Sequence, residues 1–167
     1  MPFHRRRWDP QPTGHCDVVL ASDGRRDFST RAVAQAAALA GSGGTVAVVT
    51  IARIYGTQFG LPHPGLLPSK QELVERRGWV EGAVRELKRK GVAADGQVAA
   101  TRKATKKLAS VARGRGARVV VIDETTATGA RRMVEGDVGA DLRRKLRKTG
   151  IEVEVIPAAT ASGKKKR

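Results

Sequence analysis

Apolar and polar positions alternate along the chain between a strand rhythm and a helix rhythm. Residues 17–22 (DVVLAS) form a short β-branched run that stops at Asp23-Gly24, and 29–40 follow with an Ala-rich helical composition ending at Gly41. Residues 45–52 (TVAVVTIA) are apolar on both faces, as a parallel strand between two layers of helices should be. Ser69-Lys70-Gln71-Glu72 is a capping box that opens a helix to about residue 90, stopped by Gly91. A weaker strand (92–100), a helix (102–114), a strong strand (117–123), a helix (137–149) and a last strand (151–157) complete the series. Regular β-α alternation of this kind predicts right-handed crossovers and a doubly wound α/β domain: one five-stranded parallel sheet with helices on both faces.

With 167 residues, 40% apolar and 29% charged, the chain supports one domain with a real core. We place that domain at 17–157, with basic, aperiodic segments at 1–16 and 158–167 that read as mobile tails. The segment 52–69, rich in Gly and Pro, is long for a connection. Cys16 is the sole cysteine, so no internal disulfide forms, and a reducing, cytoplasmic setting is expected. The apolar runs are far below the roughly 20 residues that span a bilayer, and the basic start is followed by Asp9-Pro10 and not by an apolar stretch. Neither a membrane protein nor a secreted one is expected.

In a doubly wound sheet, ligands bind beyond the carboxyl ends of the strands. After the fourth strand the chain reads Asp123-Glu124-Thr125-Thr126, then Gly129, Arg131, Arg132, Gly136, Asp137 and Val138 before a helix. This stretch resembles the nucleotide motif of the universal stress protein family, an apolar strand followed by G-x-x-G-x9-G-S/T and a helix. Asp23-Gly24 is similar to that family's first strand ending, and the element order matches over about five sixths of the chain. The resemblance implies the strand order 3-2-1-4-5 and a mostly non-catalytic stress-response binding role. It also implies a homodimer paired through the last strand, and an ATP site using Asp23, the backbone of Ile51, Gly129 and Gly136. In that strand Glu152 and Glu154 alternate with Val153 and Val155, so two copies would bring acidic residues together.

At three positions the motif departs from the family's pattern. Asp123 and Thr126 stand where the family has the glycines that let backbone approach phosphate, and Asp137 stands where it has Ser or Thr. Asp137 makes a good N-cap, and its carboxylate occupies the place a phosphate would take at the helix start. A phosphate about 4 Å away meets roughly 4 kcal/mol of repulsion per charge pair at an effective dielectric of about 20, which is about a thousandfold in affinity. The nucleotide site thus reads as vestigial or weak, and no resident cofactor is expected.

Charge points elsewhere. Lys and Arg number 32 against 16 Asp and Glu, a net +16. Residues 123–157 are neutral, whereas 101–118 holds seven cations and no acid: Arg102, Lys103, Lys106, Lys107, Arg113, Arg115 and Arg118. Ala104, Leu108, Val111 and Ala112 form one apolar stripe there, which turns Lys103, Lys106, Lys107 and Arg113 outward. The tails add Arg5, Arg6, Arg7 and Trp8 at one end and Lys164, Lys165, Lys166 and Arg167 at the other. Arg beside Trp pairs phosphate contact with base stacking, as RNA permits. The helix at 137–149 adds Arg143, Arg144, Lys145, Arg147 and Lys148, and neither helix has the Asn, Gln and Arg pattern of a base-reading helix.

No residue pair looks catalytic, and His15-Cys16 lacks further ligands at metal spacing. Three functions stay open: a stress-response binding protein with impaired ATP binding, an RNA- or ribosome-associated protein that uses the fold as a cationic scaffold, and a nucleotide-binding switch.

Overall fold

The computed structural model describes residues 12–54, 67–124 and 136–158. Five strands and four helices alternate: β1 (Val18–Ala21), α1 (Thr30–Ala40), β2 (Thr45–Arg53), α2 (Lys70–Arg89), β3 (Ala93–Thr101), α3 (Ala104–Gly114), β4 (Val119–Asp123), α4 (Val138–Leu146) and β5 (Glu152–Ile156). The strands form one parallel sheet in the order β3-β2-β1-β4-β5, as expected. Val18 pairs with Val46 on one side and with Val119 on the other, so β1 lies at the centre.

The period of two divides the strand residues between two cores. Val18, Leu20, Val46, Val48 and Val121 pack against α1 and α2. Val19, Ala21, Val49, Ile51, Val120 and Ile122 pack against α3 and α4. Both faces are covered, which explains why β1, β2 and β4 read as continuous apolar runs. Leu20, Leu87, Leu108, Leu142 and Leu146 are fully buried, each stabilising the fold by about 1.5–3 kcal/mol relative to exposure.

Three helices start on a side-chain cap. Ser29 accepts from the Ala32 N–H (3.1 Å), Ser69 and Glu72 close the expected capping box, and Asp137 accepts from the Ala140 N–H (3.1 Å). Two helix boundaries differ from expectation. The Lys103 N–H donates to the Thr101 hydroxyl (3.1 Å), so α3 begins at Ala104. The Thr149 hydroxyl donates to the Leu146 carbonyl (2.7 Å), closing the end of α4 at Leu146.

At the amino end of the sheet, Arg115 is 7% exposed and grips both Asp95 oxygens at 2.5 and 2.6 Å, while its Nε donates to the Gly14 carbonyl (2.9 Å). The Cys16 N–H donates to the Arg115 carbonyl (3.0 Å), and the Cys16 side chain lies in the core. Gly14 and Cys16, in the segment expected to be a mobile tail, are thus bonded to Arg115 just past the end of α3. Arg115, counted from the sequence among the seven cations of 101–118, belongs to the interior because its partner Asp95 comes from β3.

Candidate functional site

Strand order reverses between β1 and β4, and the crevice at their carboxyl ends is where a doubly wound sheet takes a ligand. Here side chains and backbone of the same chain cross it. Asp123, at the end of β4, accepts from both the backbone N–H (3.1 Å) and the hydroxyl (2.5 Å) of Ser29 at the start of α1. Arg26, from the turn after β1, donates to the Glu124 carbonyl. Ser22 accepts from the Gly24 N–H (3.1 Å) and donates to the Arg26 carbonyl (3.0 Å), which fixes that turn.

Asp23 is half-buried in the same turn. One carboxylate oxygen accepts from the Arg25 N–H (3.0 Å) and the other faces the Arg25 guanidinium at 3.6 Å, a local Asx turn with its own counter-charge. The Ile51 side chain is fully buried in the core. Its carbonyl faces the turn after β1: Gly24, at φ +85°, lies so close that a Cβ there would stand 1.8 Å from the Ile51 oxygen. Only glycine tolerates both that φ and that approach. Asp23 and Ile51, two of the residues matched to the family's nucleotide site, are therefore neighbours, with Gly24 set against the Ile51 backbone.

Gly136 precedes α4 with φ +73°, and an Asp141 oxygen lies 3.6 Å from the place its Cβ would take. Asp137 caps the helix and Asp141 follows in its first turn, so two carboxylates stand at the start of α4. Thr126, Gly129, Arg131 and Arg132 lie outside the described residues. Asp123 was read from the sequence only as a missing glycine; its role as acceptor for Ser29, 94 positions away, has no local sequence signal.

The cations gather beside this crevice. Arg102, Lys103, Lys106 and Lys107 line an open cleft of about 660 Å³ with Ile54, Thr101 and Ser110. A second cleft, of about 520 Å³, shares Arg102, Lys103 and Lys106 and adds Arg53, Asp141 and Lys145. α3 and α4 lie side by side on the same face of the sheet, which brings Lys145 to the same cleft. Arg113 is exposed but lies about 10 Å along α3 from Lys106, from seven residues at 1.5 Å each, and lines neither cleft. Arg5–Arg7, Trp8 and Lys164–Arg167 lie outside the described residues. Among the described residues, no group of three His, Cys, Asp or Glu is placed to hold a metal, and no helix is long and apolar enough to cross a membrane.

Solved structures with this arrangement of elements include a universal stress protein from Archaeoglobus fulgidus, 19% identical, with a TM-score of 0.61 over 86% of this chain and 94% of that one. A universal stress protein family structure from Burkholderia pseudomallei is 22% identical, with a TM-score of 0.55 over 88% of this chain and 100% of that one. The chain has the universal stress protein fold. No family model and no curated protein matches the sequence. Another structure with the UspA-like fold, the A. fulgidus protein in complex with dAMP, is 19% identical, with a TM-score of 0.55 over 85% of this chain and 98% of that one.

β5 is one edge of this UspA-like sheet. Glu152 and Ile156 bond inward to the chain next to β4, so Val153 and Val155 direct their backbone groups to the open edge. Arg143 of α4 donates from Nε to the Val153 carbonyl (3.2 Å), and Gln35 donates to Glu154 (2.7 Å).

Proposed function

We propose that this chain is a non-catalytic, stress-response binding protein with impaired ATP binding, and that its partner is RNA, held by phosphate contacts on the basic face of α3. The observation that carries this reading is the placement of charge at the carboxyl end of the sheet. Acids and internal bonds occupy the β1/β4 crevice and the start of α4, while Arg102, Lys103, Lys106 and Lys107 surround an open cleft next to it. The carboxylate of Asp137, which caps α4, stands where a phosphate would sit and repels one there. Cations on an exposed face attract a polyanion at long range and need no base-specific contact. Arg143 reaches the Val153 carbonyl at the open edge, so a homodimer paired through β5 would have to share or displace that bond.

Nuclease treatment during a tagged pull-down should release the partner, whereas capture that survives nuclease would sink the RNA reading. Affinity for single-stranded RNA should fall with log salt at about −0.7 per phosphate contacted, and Lys103→Glu, Lys106→Glu and Lys107→Glu together should flatten that slope. Tight ATP binding by the purified chain would overturn the impaired-nucleotide reading.

A further inference from the structure

The two basic clefts share Arg102, Lys103 and Lys106 in their lining, so the two adjoin there, and together we call them the trough. Lys107 extends the charge on one side and Lys145 on the other. Among the described residues, the carboxylate in the lining is Asp141, which pairs with Arg144 at the surface. Among the described residues, no side chain caps the start of α3, unlike α1, α2 and α4. Its first backbone N–H groups therefore add donors to a place the cations already define. Among the described residues, the lining includes Ala100, Thr101 and Ser110 and no aromatic ring.

We propose that this trough binds a compact oligophosphate, the chemistry shared by free tripolyphosphate and the 5′-triphosphate end of an RNA. An extended phosphodiester strand spreads one charge per nucleotide along its length and suits a stripe of cations. An oligophosphate puts several charges within a few ångströms, and cations closer together than the screening length of about 10 Å act on it jointly. The proposal rests on the reading that the basic face takes a phosphate polyanion, and it assigns the end of the strand, not its middle, to the trough.

Titration of the full chain with inorganic tripolyphosphate tests it. Lys103→Gln with Lys106→Gln should weaken binding at least about tenfold, and Arg147→Gln with Lys148→Gln, which removes the same charge beyond the end of α4, should change it less than about twofold. Lys103→Arg with Lys106→Arg should keep binding within about threefold, so that the loss in the Gln pair reports lost charge and not a lost fold. An RNA bearing a 5′-triphosphate should bind about tenfold tighter than the same RNA with a 5′-hydroxyl, and tripolyphosphate should displace it. Equal affinity for both ends, without displacement, overturns the oligophosphate site and leaves the RNA reading standing. Tripolyphosphate binding in the trough with no RNA binding does the reverse. Equal losses in the two Gln pairs assign the binding to net charge and overturn the site.

Discussion

The two ends of α3 hold cations from the same run of sequence, and the fold treats them in opposite ways. At the amino-terminal end, Arg102, Lys103, Lys106 and Lys107 line a cleft open to solvent. Just past the carboxyl-terminal end, Arg115 is buried, chelates Asp95 and holds the backbone at Gly14. Arg115 has given its charge to the interior, where an acid on β3 and a carbonyl from the incoming chain satisfy it. Among the described residues, the cations at the other end chelate no such buried acid: Asp141, which lines the second cleft, faces Arg144 at the surface. A count of charges along a segment thus overstates the charge available to a partner, and the correction comes from which strand lies underneath.

That contrast can be broken from either side. The largest effect is expected from Arg115→Met, which strands the Asp95 carboxylate and frees the segment at Gly14. Asp95 keeps 36% of its side-chain surface in water, so the loss should be about 2–4 kcal/mol and not the top of the range for a fully buried pair. Urea denaturation measures it, and the salt dependence of RNA binding should stay as in the parent. A variant of unchanged stability would show that the clamp is incidental.

Asp123→Ala comes next, because it applies the same question to an acid spent on the fold. Removing the acceptor of both Ser29 bonds should cost about 1–2 kcal/mol, read from chemical denaturation, with α1 the first element to lose amide-exchange protection. If ATP bound tightly in this variant and not in the parent, the crevice would be closed chiefly by that one contact.

Replacing Lys103, Lys106 and Lys107 with Gln should show the inverse pattern. Stability should move by no more than about 0.5 kcal/mol, while the slope of log affinity against log salt for single-stranded RNA should shrink by about 2, at about 0.7 per lost contact. A large fall in stability would mean that these side chains are structural like Arg115, and the contrast between the ends of α3 would disappear.

The smallest expected effect concerns Asp17, which receives the Thr45 N–H at 2.8 Å. That backbone hydrogen bond, aided by His15, holds the Asp17 carboxyl below its ordinary value. The unfolded chain therefore takes up the proton first, and the contribution to stability is present above about pH 4 and fades as the pH falls through the lower folded value. Denaturation midpoints between about pH 5 and 3 should fall less steeply in Asp17→Asn than in the parent. Cys16, whose thiol is pushed up by burial, should meanwhile react slowly with alkylating reagents until the chain unfolds.

Much of the fold was legible because its signals are local. Ser69 and Glu72 lie three residues apart and announce their helix, and β2 is apolar on both faces because it lies between two helical layers. Asp137 was legible as a cap for the same reason, since the N–H it accepts is three residues on. The candidate site was legible only in part. Lys103, Lys106 and Lys107 could be turned outward from the spacing of Leu108 and Ala112, but their meeting with Lys145 required α3 and α4 to pack side by side. The bond between Gly14 and Arg115 was not legible, because nothing in residues 12–16 announces a partner about a hundred positions away.

By itself, the sequence determined the alternation of elements, the parallel sheet with its likeness to the universal stress protein fold, and the surplus of positive charge, since these follow from periodicity, caps and composition. The tertiary structure decided which charges remain available. Arg115 disappears into Asp95, Asp123 into Ser29, and the Val153 edge carbonyl into Arg143. Each of those bonds joins separate elements of the fold, and a charged group's energy depends on what the packing brings within a few ångströms of it, not on its neighbours along the chain.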